Sequence, residues 1–288
     1  MTGNTLHTIV VPVRGDGKGD NVLAHAAALA RRHSAQVKVV HCHPKPDDLM
    51  PYGVVIPQVL RAQIEEVAQR NVDVTRDQLD DEFRTLATDF GLLIQDHVAG
   101  RATAEFHSYE GKQVDAVRHF GRLADLLCVS QPDPKLNLGN NTLKAALFAS
   151  GRPVMMCPPK QTVSETFADH ITLGWNGSIE ASRALAMAMP LISAANTVTI
   201  LSSGSTGHDA SPEQVVRYLE LKSVSASIRS FDADAGKIGE LLLAETEDVG
   251  AGLLIMGAYH ESFERESIFG GVSQHVVQNA KFPILMVH

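Results

Sequence analysis

Residues 124–130 read ADLLCVS and residues 251–257 read AGLLIMG; further along, RPVMMC from Arg152 is matched by FPILMV from Phe282. In each pair the apolar run has strand length and does not alternate with polar residues, as expected of parallel strands buried on both faces. The later run of each pair opens on a proline, Pro153 or Pro283. Working outward, TIVVPV at 8–13 and QVKVVH at 36–41 have the same character in the first half, and HITLGW at 170–175 and TVTILS at 197–202 in the second. Helical stretches separate them. NVLAHAAALARRH at 21–33 ends in basic residues that suit a helix C-terminus. Ile64, Ala68, Val72, Leu79, Phe83, Leu86 and Phe90 keep close to helical spacing, and an alanine- and methionine-rich helix is predicted from Glu180 to Ser193. Strand alternating with helix predicts an α/β fold with right-handed crossovers, and the recurrence of the order makes it an internal repeat. The segment CPPKQTVSETFADH, from Cys157 to His170, has adjacent prolines and no periodicity, so it reads as the linker. The boundary falls near residue 163, giving domains 1–163 and 164–288.

Composition narrows the function classes. The chain has 288 residues, 44% hydrophobic and 20% charged, which describes a globular protein. Its 25 basic and 33 acidic residues give a net charge of −8 with no basic cluster, which argues against a dedicated nucleic-acid binder. The opening MTGNTLHTIVVPV has no basic leader, and no apolar run reaches transmembrane length, so the expected location is cytoplasmic and away from membranes. Cys42, Cys128 and Cys157 are odd in number, far apart and set in apolar runs, which reads as reduced buried thiols.

Several motifs stop short of a chemistry. Gly15-Asp16-Gly17-Lys18-Gly19-Asp20 lies between strand and helix, where a dinucleotide fold places G-x-G-x-x-G, but Asp20 occupies the third glycine position and the segment reads as a flexible turn. No G-x-x-x-x-G-K-[ST] is present. His41, Cys42 and His43 close a strand; alternation sends both histidines to one face and the cysteine to the other, two ligands where a structural metal site needs four. His260-Glu261 lacks the second histidine of H-E-x-x-H, and no G-x-S-x-G elbow exists, so no catalytic set and no metal site is expected.

One loop stands apart. Met256-Gly257-Ala-Tyr-His260 follows a strand; nine residues later come Gly270-Gly271-Val272-Ser273 and a helix from about Val272. A Gly-Gly turn into a helix presents free N–H groups and the positive end of a helix dipole with no Cβ in the way, which suits phosphate, and Ser273 adds a hydroxyl. Asn176-Gly177-Ser178 ends the first strand of this half on the same sheet edge, where ligands of parallel sheets bind. The alternative is that these glycines only cap elements and close a loop.

At these residues the chain resembles the universal stress proteins, in their tandem form, over nearly its whole length. Nucleotide-binding members carry G-x2-G-x9-G-[ST]; Gly257 and Gly270 match its first and third fixed positions, whereas His260 stands at the second glycine and Gly271 at the Ser/Thr. Asn176 stands where the family has an acid, and Arg14 at the equivalent place in the first half. That half has Val129-Ser130-Gln-Pro-Asp-Pro and Asn140-Asn141 in place of the glycines, and so resembles a degenerate partner. The resemblance implies two five-stranded parallel sheets of order 3-2-1-4-5, packed as an intramolecular pseudo-dimer. It also implies a non-catalytic stress-response regulator with ATP as ligand, a protein partner, and a capacity for homo-oligomers. The ligand residues it implies are Asn176, Met256, Gly257, His260, Gly270, Gly271, Val272 and Ser273. Against it stands a nucleotide-free interaction scaffold of the same fold.

Overall fold

A computed structural model describes residues 5–13, 19–45, 58–136, 138–159, 162–204, 210–232, 235–258 and 271–288. The first half contributes strands β1 (Thr8–Val13), β2 (Gln36–His43), β3 (Leu93–Ile94), β4 (Thr103–Glu110), β5 (Leu126–Ser130) and β6 (Val154–Cys157). The second contributes β7 (His170–Gly174), β8 (Thr197–Ser203), β9 (Ala226–Phe231), β10 (Leu253–Gly257) and β11 (Ile284–Val287). All lie in one sheet of order β3-β4-β2-β1-β5-β6-β11-β10-β7-β8-β9. With the short β3 set aside, each half runs 3-2-1-4-5 in its own numbering, and its strands pair in parallel.

The halves meet edge to edge through the last strand of each. β6 and β11 pair antiparallel, Met156 opposite Ile284 and Val154 opposite Met286, so the two sheets become one of eleven strands. The reason is in the residues. VMMC and ILMV are buried throughout, and either strand alone would leave an apolar edge with unpaired backbone groups. The two prolines sit just before these strands, and their carbonyls accept from Leu127 N (3.0 Å) and Leu254 N (3.2 Å) at equivalent points of the repeat.

The helices are α1 (Asp20–His33), α2 (Gln58–Asp89), α3 (Gln113–Gly121), α4 (Asn140–Ala149), α5 (Ile179–Met187), α6 (Met189–Ala194), α7 (Pro212–Glu220), α8 (Ile238–Asp248) and α9 (Gly271–Asn279). Alternation along the strands sorts the core into two layers. Ile9, Val37, Val39, Cys128, Ile171, Leu173 and Ile255 face α1, the end of α2, α5, α6 and α7. Val10, Val40, Leu127, Leu201, Met256 and Met286 face α3, α4, α8 and α9. Both layers cross the β6–β11 seam without a break. The single helix predicted from Glu180 to Ser193 is two, divided at Ala188, because Pro190 in the first turn of α6 has no N–H to continue α5.

The linker is anchored in the core. Phe167 and Ala168 are buried, the His25 ring meets Phe167 edge-on at 5.2 Å, and Gly252 lies so close that a Cβ there would stand 2.3 Å from the Phe167 carbonyl oxygen. Arg31 of α1 pairs with Glu165 and donates to the Phe90 carbonyl; Arg32 pairs with Asp169 and donates to the Ala194 carbonyl. The basic C-terminal turn of α1, read from the sequence as suiting the helix dipole, thus also ties the first half to the second. Among the described residues no helix is long and apolar enough to cross a membrane.

Candidate functional site

The cleft lies at the carboxyl edge of β7, β8, β9 and β10, between the first turn of α5 and the starts of α8 and α9, and holds about 880 Å³ including its open mouth. Asn176, Met256, Gly257, Gly271, Val272 and Ser273 all line it, although they come from three separate stretches of chain. His260 and Gly270 lie outside the described residues, as do Arg14, Glu261 and residues 15–18 of the first glycine-rich loop.

Each lining residue has a local reason for its place. Gly177, at φ 79°, turns the chain out of β7; the Asn176 side-chain Oδ1 accepts from Ser178 N at 3.1 Å, and the Ser178 hydroxyl accepts from Ala181 N at 3.2 Å to cap α5. The Asn176 oxygen is therefore already engaged in building this turn. Gly257 ends β10 against that same turn: a Cβ would stand 2.5 Å from Ala181 N and 2.5 Å from Glu180 C. Helix packing alone thus requires glycine there. Gly271 is different, since a Cβ on it would meet nothing within 4 Å among the described residues. It opens α9, one residue earlier than expected, and Ser273 is buried in its first turn. Val272 is held against α8, where a Cβ on Gly239 would be 3.0 Å from its carbonyl oxygen.

The fold adds residues that spacing did not reveal. Trp175 is buried, with its indole N–H donating to Ala210 O at 2.8 Å; Ser203, Phe231, Ile238, Leu242 and Ala258 complete the walls. Trp175, the sole tryptophan and next to the nominated Asn176, was the signal available. Among the described lining residues Glu180 carries the one charge, a carboxylate that no spacing in the chain places beside the loop. The positive field facing it comes from the N–H groups at the start of α9.

In the first half the corresponding loop is closed on itself, and Ser130–Pro134 with Asp20 and Asn21 line an open groove. Pro132 packs on Gly139 at the start of α4, where a Cβ would lie 3.0 Å from its Cα, and Asp133 and Leu138 close the loop with N–H to carbonyl bonds of 2.9 and 3.1 Å. That groove, of about 1950 Å³, lies between α1, the linker and Gln278 of α9.

His41 and His43 do share a face, their ring centroids 6.4 Å apart, each with a buried Nδ1 that has no hydrogen-bond partner among the described residues. Burial, then the neighbouring His43, holds the His41 pKa below its usual value, while a hydrogen bond to the Val13 backbone works the other way. Cys42 faces the opposite layer and is only half-buried, its thiol donating to Gly111 O at 2.9 Å; burial, then Asp115, raises its pKa. Cys128 and Cys157 are fully buried, as expected. Among the described residues no group of three or more His, Cys, Asp or Glu is arranged to hold a metal ion.

The universal stress protein family model matches residues 5–128 and 168–288. No curated protein matches the chain. Among solved structures, a universal stress protein from Archaeoglobus fulgidus DSM 4304 superimposes with a TM-score of 0.70 at 14% identity, covering 100% of this chain and 99% of that one. A functionally unknown protein from Pseudomonas aeruginosa PAO1 gives 0.56 at 14% identity, covering 99% and 93%. The cytoplasmic domain of a prokaryotic cation chloride cotransporter gives 0.53 at 11%, covering 98% and 95%. At such identities the structural likeness concerns the fold alone. The family model carries the assignment, since it matches most of the chain in two segments, one in each half: the protein belongs to the universal stress protein family, as a tandem of two such domains.

Proposed function

We propose that this protein is a non-catalytic regulator whose second half binds an adenine nucleotide, ATP, in the cleft between β7, β10 and α9, and that residues 1–163 and 164–288 act as its two domains. One observation carries the reading: Asn176, Met256, Gly257, Gly271, Val272 and Ser273 line a single cleft at the carboxyl edge of a parallel sheet, with the first N–H groups of a helix at its rim. Phosphate would rest on the N–H groups of Gly271, Val272 and Ser273, and the apolar wall of Trp175, Phe231 and Leu242 would receive the base. Glu180 is the one charged residue of the described lining, short of the metal-holding and nucleophile-orienting set that phosphoryl transfer uses.

Titration calorimetry with ATP tests this. The wild-type protein is expected to bind, Ser273→Ala to bind roughly five-fold more weakly through loss of one hydrogen bond, and Asn141→Ala in the first half to bind as the wild type does. Absence of binding heat, with no adenine nucleotide released on denaturing the purified protein, would sink the nucleotide reading. The second reading, an interaction scaffold for a protein partner, is favoured by two features: the Asn176 oxygen is engaged in the α5 turn, and Gly257 is accounted for by helix packing.

A further inference from the structure

Helix α9 ends at Asn279, and the last carbonyls of a helix have no donor within it. Here a donor comes from the other half of the molecule. The Gln131 side-chain Nε2 donates to Val277 O at 2.7 Å and reaches Ala280 O at 3.3 Å; with carbonyls on both sides, only the NH2 end of the amide satisfies the contact. Gln131 is itself fixed, because its backbone N–H donates to Cys157 O at 2.9 Å and prolongs the β5–β6 pairing, and Pro132 after it packs on Gly139. Six residues separate Val277 from Gly271, about 9 Å along the axis at the α-helical rise, so this hydrogen bond and the rim of the cleft belong to one short rigid rod. Gly239 of α8 steadies that rod at Val272, and Gln131 holds its other end.

Among the described residues the arrangement is not reciprocal. The repeat aligns Gln131 with Ala258, whose methyl offers no hydrogen bond to α4; on that side the C-terminal His288 ring meets Phe148 of α4 edge-on at 4.7 Å. We infer that Gln131 is a positioning residue for the second half's cleft: from the first half it clamps the C-terminal end of α9 and so fixes the N–H groups of Gly271, Val272 and Ser273. The domain whose own loop places Pro132 on Gly139 thereby sets the geometry of its partner's site. The effect on ligand rests on the nucleotide reading above, whereas the clamp on the helix does not.

The test uses the full-length protein, ATP titrations, and amide hydrogen exchange across residues 271–279. Gln131→Glu removes the donor and turns a carboxylate toward two carbonyls at the negative end of the helix dipole. It is expected to weaken ATP binding and to speed exchange in α9, each about ten-fold, with Gln131→Lys, which keeps a donor, within about two-fold of wild type in both. If Gln131→Glu does not fold, Gln131→Met, similar in shape and without a donor, takes its place. Affinity unchanged in the donor-less variant overturns the positioning role, whether or not exchange quickens. A wild-type protein that binds no ATP overturns the nucleotide reading instead. Exchange then decides the clamp: faster in Gln131→Glu and restored in Gln131→Lys upholds it, and unchanged exchange refutes it.

Discussion

Replacing Gly257 by alanine should destabilise the ligand-free protein, while the same change at Gly271 should not. A methyl group at 257 would stand 2.5 Å from Ala181 N, 2.5 Å from Glu180 C and 2.7 Å from Glu180 Cβ. Carbon atoms in ordinary contact sit about 3.5–4.0 Å apart, so the first turn of α5 would have to retreat by about 1 Å. It has little room to do so, because Ala181 and Ala184 are buried against the sheet and the Ser178 hydroxyl holds Ala181 N, one of the atoms in the clash. Overpacking of this kind costs about 1–3 kcal/mol, and with backbone atoms as the obstacle the upper part of that range applies. For a chain of this size the loss corresponds to a fall of about 4–6 °C in Tm. At Gly271 a methyl meets nothing within 4 Å among the described residues and alanine is the better helix former, so Tm should hold or rise slightly. Circular dichroism melts of both variants without ligand provide the assay. If Gly257→Ala melts within 1 °C of wild type, or if Gly271→Ala loses as much stability, the account of Gly257 as a packing glycine is wrong.

Three further outcomes follow from the geometry. Burial, then Arg32 and His7, holds the His33 pKa at about 4 against its usual 6.5; between those values the unfolded chain binds a proton that the folded chain refuses, so stability falls as pH falls through that window. The loss amounts to up to about 3 kcal/mol at the acid end, and denaturant titrations of His33→Gln should show a flatter profile between pH 6.5 and 4, an unchanged slope counting against it. Residues 1–163 expressed alone leave the β6 edge without β11 and should elute as a dimer or larger in size-exclusion chromatography with light scattering; a stable monomer would refute the seam as the source of the association. Metal analysis of untagged protein should find no stoichiometric zinc, since His41 and His43 offer two ligands; one equivalent, lost on changing both to alanine, would overturn this.

The sequence by itself determined the kinds of elements and their order. Runs such as LLCVS and LLIMG declare buried parallel strands, and the spacing of Phe83, Leu86 and Phe90 declares a helix, because periodicity is a property of near neighbours in the chain. The repeat and its proline-led last strands were legible for the same reason; of the cleft's lining, Gly257 ends β10, Gly271 begins α9 and Asn176 lies in the turn between β7 and α5. The split of the helix at Ala188 was missed although Pro190 was in view, since periodicity runs on through both pieces. What no spacing conveys is which distant atoms meet. The same VMMC and ILMV patterns fit two separate sheets or one; only antiparallel pairing of β6 with β11 makes it one. Gly257 reads as a ligand glycine until α5 is seen 2.5 Å from where its Cβ would be, and Gln131 reads as one residue of a degenerate loop until its amide is found on Val277 of the other half. Trp175, Phe231 and Leu242 join the cleft only because the crossovers bring their elements to one edge. These are contacts between residues far apart in sequence, decided when two layers of core close over a common sheet, and so the tertiary structure alone contains them.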